Sequence, residues 1–294
     1  MNFRCFYITV ALISYPESKA ADFLADAETP KIQSTAITEA SGLAISASNP
    51  DSMWIINDSG GTPDIHLVNT DGTYCGKVTV QDARNIDWED LASFSLDGKN
   101  YLLVADTGDN NSQRKSLTLY IILEPTLPEK GKILDVTVPP AWQIHFQFEG
   151  GPRDCESVAV DSKTGKILLL SKRTQPPEVY ELPLGPPEKP DIQTARMIGK
   201  TLVKSMDGRI PFRDQPTGLD ITADNSLAAV VTYHGVFLFP HQSDESWATT
   251  FSRTPTALPP HLLGQAESIA FSKDGKSIYL VSEGKNSPIK RYKR

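Results

Sequence analysis

Five apolar stretches of this chain each open on a side chain that offers oxygen. They read Ala40-Ser41-Gly42-Leu43-Ala44, Trp88-Glu89-Asp90-Leu91-Ala92, Cys155-Glu156-Ser157-Val158-Ala159, Pro216-Thr217-Gly218-Leu219-Asp220 and Ala266-Glu267-Ser268-Ile269-Ala270. Ser41, Glu89, Glu156, Thr217 and Glu267 hold matched places, so if the stretches converge, three carboxylates and two hydroxyls meet. Carboxylates gathered out of water keep their protons or share a cation. An all-oxygen set suits a hard cation, calcium first and magnesium second, because magnesium prefers a tighter and more hydrated octahedron. The competing duty for such residues is to satisfy backbone amides of neighbouring strands. Glu at three of the five matched places favours the metal.

The elements that position these residues are hairpins. Each stretch runs into a turn signal and a second apolar strand: NPDSMWIIND, SLDGKNYLLVAD, DSKTGKILLLSK, TADNSLAAVVTY and SKDGKSIYLVSE. Gly, Asn, Asp or Pro stands wherever a tight turn needs it. From the anchor to the end of the second strand is 17 residues in the first two copies (Ser41 to Asp58, Glu89 to Asp106) and 16 in the others (Glu156 to Lys172, Thr217 to Tyr233, Glu267 to Glu283). Third strands follow at Ile65–Val68, Thr118–Leu123, Val179–Leu182, Val236–Phe239 and Ile289–Tyr292, and no useful length carries helical periodicity. The pattern predicts an all-β fold, a five-bladed β-propeller spanning residues 21–294 as one domain. The last copy is short, so Lys31–Thr38 is expected to close the ring as its outer strand. Six blades is the competitor, with DVTV and QIHFQF inside Leu127–Phe148 forming an extra hairpin without an anchor.

Second strands run antiparallel to first strands, which brings Asp58, Asp106, Lys172, Tyr233 and Glu283 to the mouth where the anchors begin, with Arg173 beside Lys172. Asp58 or Asp106 is expected to accept a proton, and Lys172 with Arg173 to hold developing negative charge. The loops Asn57-Asp58-Ser59-Gly60-Gly61 and Asp106-Thr107-Gly108-Asp109-Asn110-Asn111 are polar and glycine-rich, as functional loops and ordinary turns both are. The second offers oxygens for a further calcium, although it does not match an EF-hand loop. His234 stands beside Tyr233, where a lone His is more often a surface residue than a base.

At these residues the sequence resembles the soluble calcium-activated nucleotidases, or apyrases, five-bladed propellers with one central calcium. Their ligand order of Ser, Glu, Glu, Ser and Glu is matched by Ser41, Glu89, Glu156, Thr217 and Glu267, with Thr for the second Ser. Trp88-Glu89-Asp90-Leu91-Ala92, Glu156-Ser157 and Leu170-Ser171-Lys172-Arg173 are similar to short segments of that family, whose basic pair stands here as Lys172-Arg173. The resemblance covers all five hairpins by a few residues each. NDSGG and DTGDN are also similar to segments of exported bacterial propellers of uncharacterised reaction. The first resemblance implies a calcium-dependent hydrolase of phosphoanhydrides or phosphoesters.

Residues 1–20 have a basic start at Arg4, an apolar run from Cys5 to Tyr15 and small residues at Ser18 and Ala20, the layout of a signal peptide cut after Ala20. The expected product is an exported, periplasmic or secreted monomer without a membrane span. A net charge of −7 argues against a nucleic-acid polymer or an anionic membrane as partner. Cys75 and Cys155 are expected to stay separate thiols. Neither GxSxG, HExxH, a P-loop nor GxGxxG occurs. Against the hydrolase stands a non-catalytic binding module with a structural ion, whose mouth grips a small molecule, glycan, peptide or protein. A glycoside hydrolase with two opposed carboxylates is a third reading.

Overall fold

The computed structural model describes residues 22–189, 191–203 and 214–294, so the expected signal peptide lies outside the described residues. Strand β1 (Leu24–Ala25) precedes the repeats. The first unit is β2 (Ala40–Ile45), β3 (Ser52–Asn57), β4 (Asp64–Asn69) and β5 (Tyr74–Val80). The second is β6 (Trp88–Leu96), β7 (Lys99–Asp106) and β8 (Leu117–Leu123), followed by β9 (Leu134–Val138) and β10 (Trp142–Phe148). The third is β11 (Asp154–Asp161), β12 (Lys166–Lys172), β13 (Glu178–Pro183) and β14 (Gln193–Lys200). The fourth is β15 (Gly218–Ile221), β16 (Leu227–Val231) and β17 (Val236–Pro240), with α1 (Trp247–Ser252) and β18 (Thr256–Ala257). The fifth is β19 (Ala266–Phe271), β20 (Ser277–Ser282) and β21 (Lys290–Lys293).

Within every unit the strands pair antiparallel in sequence order. The first strands pack β2 on β6, β6 on β11, β11 on β15, β15 on β19, and β19 back on β2. Apolar layers fill the spaces between neighbours: Trp54 and Leu67 face Leu91 and Leu102, and Leu103 and Leu119 face Val158 and Leu169. Ile289 and Tyr279 face Leu43 and Met53 across the last joint. This closed ring of sheets is a β-propeller. Its inner strands approach closely, and a Cβ on Gly42 would lie 2.6 Å from the Leu91 amide nitrogen, so only glycine fits there.

Two expectations need correction. Closure uses β1, whose Leu24 and Ala25 pair with Lys293 and Tyr292, while Lys31–Thr38 contributes a single bridge from Lys31 to Pro288. Ile32 and Ile37 are both buried in the layer between the fifth and first units, a five-residue spacing that strand alternation cannot place on one face. The stretch therefore wedges between units. DVTV and QIHFQF do not pair with each other: β9 adds parallel to β5, and β10 bridges β8 (antiparallel) and β14 (parallel). They do not form the expected hairpin: β9 joins the sheet of the first unit, and β10 links the second and third into one eight-stranded sheet. The short helix α1 was not anticipated; Ser246 caps it by accepting from the Thr249 amide, and Trp247 and Phe251 anchor it in the core.

Cys75 and Cys155 are both free thiols, as expected. Among the described residues no helix is long and apolar enough to cross a membrane.

Candidate cation site at the ring mouth

Four anchors are the extra residues of β-bulges. The pairing of β2 with β3, β6 with β7, β11 with β12 and β19 with β20 skips Ser41, Glu89, Glu156 and Glu267. A bulge leaves its extra residue out of the ladder and re-aims its side chain. Thr217 directly precedes β15, held by its amide to the Val231 carbonyl at 2.9 Å.

The hydroxyls serve the backbone. Ser41 Oγ donates to the Trp88 carbonyl and Thr217 Oγ1 to the Ala266 carbonyl, each at 2.7 Å, tying neighbouring inner strands. The carboxylates divide. Glu156 forms a buried ion pair with Lys172. Lys172 Nζ also donates to the Tyr233 hydroxyl at 3.4 Å, and Tyr233 donates to Glu267 Oε1 at 2.5 Å. Burial works against the Lys172 ammonium, but the Glu156, Glu267 and Glu89 carboxylates outweigh it and raise its pKa. Lys172 thus stands inside the carboxylate ring, itself a cation.

Glu89 is different. It is 5% exposed, and among the described residues its carboxylate makes no hydrogen bond or ion pair. Burial first, then Glu156, Asp58 and Asp87, push it well above the ordinary range. Its oxygens belong to two groups of acids whose ligand atoms all lie within 4.8 Å of one another, Asp58–Asp87–Glu89 and Glu89–Asp154–Glu156. Glu267 belongs to neither. Burial with Glu156 beside it pushes Glu267 up to about 9, and burial lifts Glu156 to about 7 against the pull of Lys172.

The other expected site residues are placed as follows. Asp58 is half-buried, its carboxylate taking the Ser59 amide at 2.5 Å, and burial raises its pKa. Asp106 is fully buried, one oxygen meeting Arg114 at 2.7 Å and the Asp87 amide at 3.3 Å, the other buried without a partner. Arg173 has a left-handed backbone (φ 65°) and donates through Nε to Asp154 at 2.6 Å, with its other arm on Asn110. In the DTGDN loop, the Asp109 carboxylate accepts the Gln113 and Arg114 amides at 2.8 and 2.9 Å, which closes the loop on itself.

Sequence reasoning gave no site role to Asp87, Asp154, Asn85 or Arg114. Asn85 holds the loop after β3 by donating to the Asn57 and Asp58 carbonyls, at 3.1 and 2.7 Å. Burial, with Asp58 and Asp154 nearby, pushes Asp87 up to about 6. Gly108 packs closely against it: a Cβ there would lie 2.2 Å from Glu89 Oε1 and 2.4 Å from Asp87 Oδ2. A signal for two of these existed. Two residues before the anchors stand Glu39, Asp87, Asp154, Gln215 and Gln265, all acids or amides.

No protein-family model matches the chain, and neither does any curated protein. Among solved structures the chain is similar to that of U3-55K, over 91% of this chain and 99% of that one, at 10% identity and a TM-score of 0.45. It is also similar to a chain in the crystal structure of a nidogen/laminin complex, over 84% of this chain and 73% of that one, at 14% identity and a TM-score of 0.43. Likenesses this distant say nothing of activity.

Proposed function

We propose that this is an exported five-bladed propeller, each repeat unit one blade, that binds a hard divalent cation at the ring mouth. Calcium is the first choice and magnesium the second. Through that ion it captures an oxygen-bearing ligand, a glycan, peptide or protein partner, without turnover. One observation carries the reading: Glu89, a buried carboxylate without a donor among the described residues, is shared by two groups of acids. A buried carboxylate with no partner keeps a proton or takes a cation, and Gly108 lets the backbone approach its oxygen closely.

A phosphoryl hydrolase is the second reading, supported by Asp87, whose carboxyl at about 6 can accept a proton near neutral pH. The bound ion would supply Lewis acidity to a phosphoryl oxygen. Asp106, Lys172 and Arg173 are less suited to the parts expected of them. Asp106 is sealed from solvent and paired with Arg114, while Lys172 and Arg173 are committed to Glu156 and Asp154. The test is thermal unfolding with and without calcium, run beside turnover assays on nucleotides and phosphoesters. Calcium stabilisation without turnover is the expected result. Chelator-sensitive turnover would install the hydrolase, and no response to calcium at all would remove both readings.

A further inference from the structure

At the opposite end of the inner strands from the anchors, residues near the ends of β2, β6, β11, β15 and β19 and the turns after them line a cavity of about 200 Å³. All five units contribute to its apolar wall, through Ile45, Phe94, Val160, Ile221 and Phe271.

The repeat marks one residue of this wall. Three places after the anchors stand Ala44, Ala92, Ala159, Asp220 and Ala270. Four units fill the position with a methyl group, so packing of the ring does not demand the carboxyl of the fourth. Asp220 is half-buried, and its oxygens accept the Ile221 amide at 2.8 Å and the Phe271 amide at 2.7 Å. Each oxygen keeps a lone pair for a further donor.

Asp220 and Lys273 are the charged residues of the lining, one of each sign. Lys273 Nζ donates to the Ala47 carbonyl at 3.0 Å, which joins the fifth unit to the first and leaves two of its hydrogens to offer. Asn225, also in the lining, donates from its side-chain nitrogen to Asp161 at 2.6 Å and keeps its carbonyl oxygen as an acceptor.

We infer that this cavity binds a small neutral polyhydroxy compound of monosaccharide size, with Asp220 as its anchoring acceptor. The apolar wall takes the C–H face of such a molecule, while Asp220 and Asn225 accept from its hydroxyls and Lys273 donates to them. A charged ligand would set Asp220 or Lys273 against its own sign, and a wholly apolar one would strip water from both without replacing it. The site is separate from the one at the mouth and does not depend on the reading given there.

Saturation-transfer NMR and calorimetric titration of the full chain with glucose, galactose and N-acetylglucosamine test it, with thermal unfolding checking that each variant folds. At least one of the three is expected to bind wild type saturably. Asp220→Ala, which installs the residue of the other four units, is expected to weaken that binding at least about tenfold, the loss that follows removal of a hydrogen bond to a charged group. Ser162→Trp, which fills the cavity from the turn after β11, is expected to abolish it. Binding that both variants retain would place the sugar elsewhere, and binding of none of the three would mean that Asp220 only ties inner strands together. Either result overturns this site and leaves the proposal for the mouth standing.

Discussion

At the residue scale the mouth is a balance of charge in a space short of water. Lys172 is 5% exposed and Glu156 5%, so each depends on the other for its charge. Replacing Lys172 with Met strands Glu156, and removal of one partner of a buried pair costs about 3–5 kcal/mol. Urea unfolding of Lys172→Met against wild type measures this; a loss below about 1 kcal/mol would mean the pair is exposed in solution. Asp220 gives a second residue-level expectation. Its oxygens accept the Ile221 amide at 2.8 Å and the Phe271 amide at 2.7 Å, yet burial pushes its pKa up to about 7. A carboxyl raised in the folded state binds more protons there than when unfolded, so its contribution is full below pH 4 and is lost as pH rises toward about 7. Asp220→Asn is therefore expected to flatten the fall in melting temperature between pH 4 and 7, read by thermal scans across that range.

At the element scale, hairpins were legible because turn residues, alternation and offset agreed in every copy. What the sequence hid were features set by neighbours. The bulges at Ser41, Glu89, Glu156 and Glu267 leave no mark on apolar alternation, because the anchor is polar whether or not it is looped out. The fates of β9 and β10 depend on which free edge lies within reach, that of β5 for β9 and those of β8 and β14 for β10. Gly76 shows how specific that recruitment is. With φ of 123°, it lets β9 approach so closely that a Cβ would sit 2.0 Å from the Leu134 carbonyl oxygen. Gly76→Ala is expected to cost about 1–3 kcal/mol of backbone strain and to detach β9. Hydrogen exchange would then show faster exchange of the Leu134–Val138 amides, while unchanged protection would contradict the pairing.

The anchors themselves were readable as oxygen donors, but not their division of labour. Ser41 and Thr217 carry hydroxyls that find backbone carbonyls one strand away, a pairing that only the ring geometry supplies. Asp90 is a sharper case. Adjacent to Glu89 and fully buried, it accepts the Val158 amide at 2.7 Å and the Leu219 amide at 3.3 Å, so one side chain of β6 ties the third and fourth units to the second. The sequence DWED reads as a run of acids, yet its members do two jobs: Asp87 and Glu89 line the mouth, while Asp90 staples the ring.

At the scale of the whole molecule, closure depends on β1 pairing with β21. Phe23 is 1% exposed, packed in the layer between the fourth and fifth units beside β1, which completes the final sheet. Phe23→Ala is expected to destabilise by about 3–5 kcal/mol, the usual cost of emptying a buried aromatic site.

The account turns on whether the unpaired carboxylate at the mouth is there for a cation. Calcium titration of wild type and Glu89→Gln, at pH 7.5 and followed by calorimetry, asks this directly. A saturable binding event in wild type that disappears in Glu89→Gln is the predicted result. Equal binding by the two proteins, or none by either, would contradict it.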